Sequence, residues 1–174
     1  MINNIGIISL GSIGLRHSRI VKKLRPQLNI IAIRSGKGKN VKQEKFINST
    51  VNSIEAAIND GIEAAIISSP AVFHIHHAIN LMENGIHVLI EKPLSHSLNN
   101  LDKLLSIAKK KNIVGLLGYC LRYDPCALKF KEILNDKKIG KILNVKVECG
   151  SYLPDWREGV DYRESVSANA KLGG

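Results

Sequence analysis

With 174 residues, 25 Lys and Arg against 15 Asp and Glu (net charge +10), and 44% apolar residues, the chain can bury one good core: one domain, or one domain and part of another. That apolar content excludes disorder, no apolar run reaches the roughly 18 residues a membrane-spanning helix needs, and the N-terminus lacks a signal peptide's basic stretch and cleavage site, so a soluble cytoplasmic protein is expected. The lysines are scattered over helix ends and loop starts without interleaved aromatics, which argues against nucleic acid as the partner.

In chain order, the first element predicted is a strand over residues 5–10, short, apolar and β-branched as a strand buried on both faces should be. Apolar residues at helical spacing follow over 13–24, and between them lies Ser9-Leu10-Gly11-Ser12-Ile13-Gly14. Strand, glycine turn and helix in this order suit a dinucleotide: Gly11 lets the backbone approach a pyrophosphate, Gly14 lets helix and strand pack closely, and the free N–H groups at the helix start, around Ser12 and Ile13, bind negative charge. The first glycine of the usual G-x-G-x-x-G is Ser9 here, and a serine fits the turn if its φ stays negative. A glycine turn without a ligand is the plain alternative.

A second strand is expected over 29–33, followed by Arg34 and Ser35 where a carboxylate would accept the ribose hydroxyl of NAD. No carboxylate follows until Glu44, and Arg34, Ser35 and Lys37 can instead hold a 2'-phosphate, pointing to NADP with NAD as the alternative; a solvated basic turn shaped by Gly36 and Gly38 is the competing reading. The third strand, 64–67, leads into Ser68-Ser69-Pro70 and a helical segment carrying His74, His76 and His77. No carboxylate or cysteine joins these histidines, so no metal is expected, and His76 and His77 read as ordinary helix residues.

The fourth strand, 87–90, ends in Glu91-Lys92-Pro93. Proline holds Lys92 away from helix and permits a cis bond, and the ammonium can bind a substrate hydroxyl and stabilise an alkoxide; otherwise it is an exposed strand-end lysine. The fifth strand, 113–117, ends near Tyr119 and Arg122, a hydroxyl for substrate or cofactor and a cation for an anionic group or a domain junction. Strands alternating with helices give an α/β fold with a doubly wound parallel sheet, and ligands bind outside the carboxyl ends of its strands. All five loops with interesting chemistry lie at those ends.

After Pro125 the pattern changes to a helix over 127–134 and an alternating strand over 142–147, as if a second α/β domain begins, so the expected division is 1–122 and 123–174. In the tail, Asp155 and Trp156 either close over a substrate or cover the second sheet. Cys120, Cys126 and Cys149 show no metal-ligand pairing and are odd in number, which fits reduced thiols.

The chain resembles the glucose-fructose oxidoreductase and inositol dehydrogenase family, Gfo/Idh/MocA, through Gly11-Ser12-Ile13-Gly14 with Arg16-His17, Ser69-Pro70 with His74, Gly85 to Val88 leading into Glu91-Lys92-Pro93-Leu94, and Gly118-Tyr119 with Arg122-Tyr123 and Pro125. The resemblance implies a Rossmann domain and an oxidoreductase that uses a nicotinamide cofactor on a sugar, polyol or related alcohol or ketone. It implies Lys92 and Tyr119 as catalytic residues, and Ser9, Gly11, Ser12, Ile13, Gly14, Arg34, Ser35, Ser69, Pro70, His74, Glu91, Lys92 and Arg122 around the cofactor. Family members are about twice as long, form oligomers through the second domain, and carry a further aspartate and histidine that would lie beyond Gly173-Gly174. The chain is therefore expected to be an N-terminal piece or a natural truncation, inactive alone. A noncatalytic dinucleotide-binding module is the alternative, and nucleic-acid binding through the basic surface the weakest one.

Overall fold

The structure, a computed structural model, describes residues 2–36, 45–155, 159 and 161–173. Lys37, Gly38 and Glu44 beside the second strand, and Trp156 in the tail, lie outside the described residues. The chain divides into two compact units, residues 1–118 with 171–173 and residues 119–170 with 174.

The first unit is a six-stranded sheet in the order β3-β2-β1-β4-β5-β6, all neighbours parallel. Its strands are β1 (Asn4–Ile8), β2 (Asn29–Ile33), β3 (Ser49–Val51), β4 (Ala64–Ile67), β5 (His87–Ile90) and β6 (Gly115–Leu117). Between them run α1 (Ser12–Leu24), α2 (Ile54–Asn59), α3 (His74–Glu83, after a 3-10 turn at Ala71–Phe73) and α4 (Leu101–Lys110). Three of the five predicted strands keep their bounds. β1 stops at Ile8 and β6 begins at Gly115, and β3 has no counterpart in the sequence reading.

Isoleucine, valine and alanine fill both faces of the central strands because helices cover them from both sides. On one face Ile31, Ile33, Ala65, Ile67, Val88 and Ile90 meet Ile54, Ile75, Leu81, Met82 and Leu104 from α2, α3 and α4. On the other, Ile7, Ile30, Ala32 and Ile66 form a smaller cluster with Leu15 and Val21 of α1. Burying side chains of this size contributes about 1.5–3 kcal/mol each.

Register positions the site. Val51, Ile33, Ile8, Ile67, Ile90 and Leu117 are partners in one row across the sheet. The hydrogen bonding continues one residue past that row, from Ser9 N to Ile33 O, Arg34 N to Val51 O, Ser68 N to Ile8 O, Glu91 N to Ile67 O and Gly118 N to Ile90 O, at 2.8–3.1 Å. Every carboxyl-end loop thus departs from the same level.

In the second unit α5 (Pro125–Asn135) is capped by the Asp124 carboxylate, which accepts from Ala127 N at 2.9 Å, with Pro125 at the first helical position where its missing N–H costs nothing. Residues 142–147 were expected as a strand but form none: a strand exists only with a pairing neighbour, and among the described residues none pairs with them. Leu143 and Val147 are accordingly 87% and 84% exposed. Among the described residues of the tail, short 3-10 turns lie at Leu153–Asp155, Tyr162–Glu164, Val166–Ala168 and Ala170–Leu172.

Candidate functional site

A cleft of about 620 Å³ opens at the carboxyl ends of β1, β2, β3 and β4. Of the residues the sequence singled out, it brings together Ser9, Gly11, Arg34, Ser35, Ser69 and Pro70. Asn52, Ser53 and Glu55 from the β3 loop and α2, with Phe73, His76, His77 and Asn80, also line it.

At the β1 end, Ser9 has φ +71°, not the negative value expected of a serine in this turn. The backbone needs the left-handed conformation that glycine usually supplies, and an L-residue holds it at a cost of about 1–2 kcal/mol. The hydrogen bond from Ser9 N to Ile33 O and that from Ser68 Oγ to Ser9 O, at 3.0 and 2.9 Å, offset this. The turn brings Ser9 O so close to α1 that a Cβ at Gly14 would lie 2.0 Å from it and 2.8 Å from Ser68 Oγ. Gly14 is required by packing. Gly11 is the opposite case: its φ of −68° suits any residue, and a Cβ there would meet nothing within 4 Å. The space beside it lies where α1 presents the N–H groups of Ser12, Ile13 and Gly14, which have no partner four residues back. Ser12, Ile13 and Gly14 do not line the cleft themselves.

The far wall is one the sequence did not reveal. Phe73 stacks on His77 at 5.9 Å and 23°, and His77 Nδ1 is hydrogen-bonded to Ser69 Oγ at 3.1 Å. Burial, with smaller contributions from the charges of His76 and His74, pushes His77 down to about 4, so it presents a neutral ring at neutral pH. Glu55, held below the ordinary carboxylate range first by the Asn80 amide donating at 2.9 Å, brings into the cleft beside Arg34 a carboxylate that the sequence reading did not single out. The signal available was Ser53, a helix N-cap whose Oγ accepts from Ala56 N, but β3 before it is too short and polar to read as a strand. His76 and His77, expected as ordinary helix residues, both line the cleft because α3 starts at its rim.

At the β5 end the side chains lock to one another. The Glu91 carboxylate, expected near a cofactor, is 2.8 Å from His17 Nε2 of α1 and accepts from Lys92 N at 3.3 Å. His74, also expected there, is 1% exposed with both ring nitrogens against backbone carbonyls. Neither lines the cleft, nor does Lys92, which is exposed on the turn whose Lys92–Pro93 bond is cis. Tyr119 and Arg122 belong to the second unit, where Arg122 falls in the 3-10 turn at Cys120–Tyr123 and both are exposed.

Against known proteins, the family model described as an oxidoreductase family with an NAD-binding Rossmann fold, GFO_IDH_MocA, matches residues 3–119. Levoglucosan dehydrogenase of Pseudarthrobacter phenanthrenivorans is 25% identical over 98% of this chain and 47% of its own length. Myo-inositol 2-dehydrogenase of Thermotoga maritima is 27% identical over 79% of this chain and 42% of its own. The crystal structure of myo-inositol 2-dehydrogenase from Lactobacillus plantarum superposes with a TM-score of 0.72 at 28% identity, over 82% of this chain and 43% of that one. The chain spans under half the length of these relatives.

Proposed function

The chain belongs to the Gfo/Idh/MocA oxidoreductase family, and from that premise we propose that it forms the cofactor-binding part of an NADP-dependent oxidoreductase acting on a sugar, a polyol or a related alcohol or ketone, with NAD as the alternative cofactor. The observation that carries this is Gly11, which lines the cleft at the start of a 13-residue helix with open space where a Cβ would lie, beside a Gly14 that is crowded against the backbone of Ser9. Here the backbone N–H groups of Ser12, Ile13 and Gly14 hold a pyrophosphate. The Arg34 guanidinium and Ser35, at the next strand end, take the 2'-phosphate through charge-assisted hydrogen bonds, while the neutral His77 and Phe73 rings offer an apolar wall to the base. Ser69 and Pro70 close the cleft on the β4 side.

A bound nicotinamide supplies the hydride acceptor or donor. Lys92 meets the substrate oxygen with its ammonium, donating a hydrogen bond and stabilising the negative charge that builds there. Glu91, engaged by His17, positions that turn. Relatives named for levoglucosan and inositol support a polyhydroxylated substrate. Tyr119 and Arg122, carried over from the resemblance, stay candidates for the substrate side.

The test is calorimetric titration with NADP and NAD. The chain is expected to bind NADP more tightly, and Gly11→Val to lose binding at least tenfold while keeping its fold. Unchanged affinity in that variant sinks the assignment.

A further inference from the structure

Among the described residues His74 is the only titratable side chain buried in the protein, at 1% exposure. Its Nδ1 lies 2.8 Å from Pro93 O and its Nε2 2.7 Å from Ser69 O. A carbonyl oxygen only accepts, and a neutral imidazole has one N–H and one bare lone pair. In either neutral tautomer one ring nitrogen would therefore point a lone pair at a carbonyl, within 3 Å and with no solvent to intervene. Two N–H groups satisfy both partners at once. We propose that His74 is held as an imidazolium that clamps the Ser69–Pro70 loop, which lines the cleft, to the Lys92–Pro93 turn, and so acts as the positioning residue that fixes Lys92 relative to the cofactor cleft.

A buried charge is costly, and two charge-assisted hydrogen bonds to fixed carbonyls are what offset it. The titratable and charged groups around the ring leave it that charge. On α3 itself, His76 is exposed and His77 is kept neutral first by burial. From the β5 end come Glu91, whose carboxylate is engaged by His17 of α1, then Lys92 and, further along, His96. From the β4 end come only serines, and Ser69 is gripped twice, its carbonyl by His74 and its hydroxyl by His77. No carboxylate reaches the ring nitrogens, because the two carbonyls occupy them.

The clamp matters to function only if the cofactor reading above holds, but its charge state does not depend on that reading. The first measurement is long-range ¹⁵N–¹H correlation NMR of the 174-residue chain at pH 7.5 without cofactor. Both His74 ring nitrogens are expected to resonate as protonated nitrogens, and one pyridine-like nitrogen overturns the proposal. The second uses His74→Gln, whose single amide reaches only one carbonyl, and His74→Phe, which keeps the volume without a donor. Both are expected to bind NADP about tenfold more weakly, and in both His77 should titrate higher than its value of about 4 because a neighbouring cation has gone. NADP affinity within twofold of the unsubstituted chain in His74→Phe shows that packing alone does the work and overturns the clamp. If the unsubstituted chain binds no dinucleotide, the cofactor reading fails while the NMR result still decides the charge.

Discussion

The ends of β1 and β5, separated in the sheet only by β4, use opposite constructions at the same level of the fold. After β1 the chain clears space: Gly11 faces open room, Gly14 has no Cβ to hold Ser9 O away, and the polar groups on offer are the first N–H groups of α1, which have no partner within the helix. After β5 it fills space: Glu91 engages His17, packs 3.2 Å from where a Cβ of Gly118 would sit and accepts from Lys92 N, while His74 holds Pro93 O. A site that admits an extended anion needs vacancy and backbone donors, whereas a site that must aim one ammonium needs its neighbours fixed. Glu91 and His74 thus hold the Lys92–Pro93 turn without lining the cleft.

The contrast is broken most severely at Gly14. Gly14→Ala puts a methyl into the backbone of Ser9 and is expected to lose about 3 kcal/mol in urea unfolding, while Gly11→Val stays within about 1 kcal/mol of the unsubstituted chain. Equal losses would show that the two glycines are not doing different jobs. Next, Arg34→Ala should weaken NADP about tenfold to a hundredfold, the equivalent of about 1.5–3 kcal/mol for a hydrogen bond to a charged group, and leave NAD nearly unchanged. Comparable binding of both dinucleotides by the unsubstituted chain would refute the phosphate role, with Glu55 in the same cleft the residue to try next.

The β5 end is probed by a double-mutant cycle of His17→Ala and Glu91→Ala. A coupling of about 0.5–1.5 kcal/mol is expected in unfolding, with NADP affinity within twofold. Zero coupling would mean that the turn is held without this pair. The smallest effect concerns Ser9: glycine there relieves the left-handed serine but adds unfolded-chain entropy, so Ser9→Gly should raise stability by about 0.5 kcal/mol, seen as a slightly higher melting temperature. A lower melting temperature would mean that the serine side chain contributes more than the strain removes.

The amino-acid pattern alone determined the strands over Asn29–Ile33, Ala64–Ile67 and His87–Ile90, the helix after Gly11, and the parallel α/β architecture. These are runs of β-branched residues closed by polar, glycine or proline residues, whose burial on two faces is a local property of composition. The same local pattern misled at 142–147, where alternation specifies a half-wet face but pairing needs a second strand. Tertiary structure alone decided β3, three exposed or half-buried residues that are a strand only because Ile31, Ala32 and Ile33 pair with them. It also decided that Glu55, His76 and His77 share a cleft with Arg34 and Gly11, and that His74 and Glu91 turn away to brace the Lys92 turn. Helical crossovers bring together strand ends far apart in the chain, and the contacts made there depend on register and side-chain direction that no short stretch of sequence encodes.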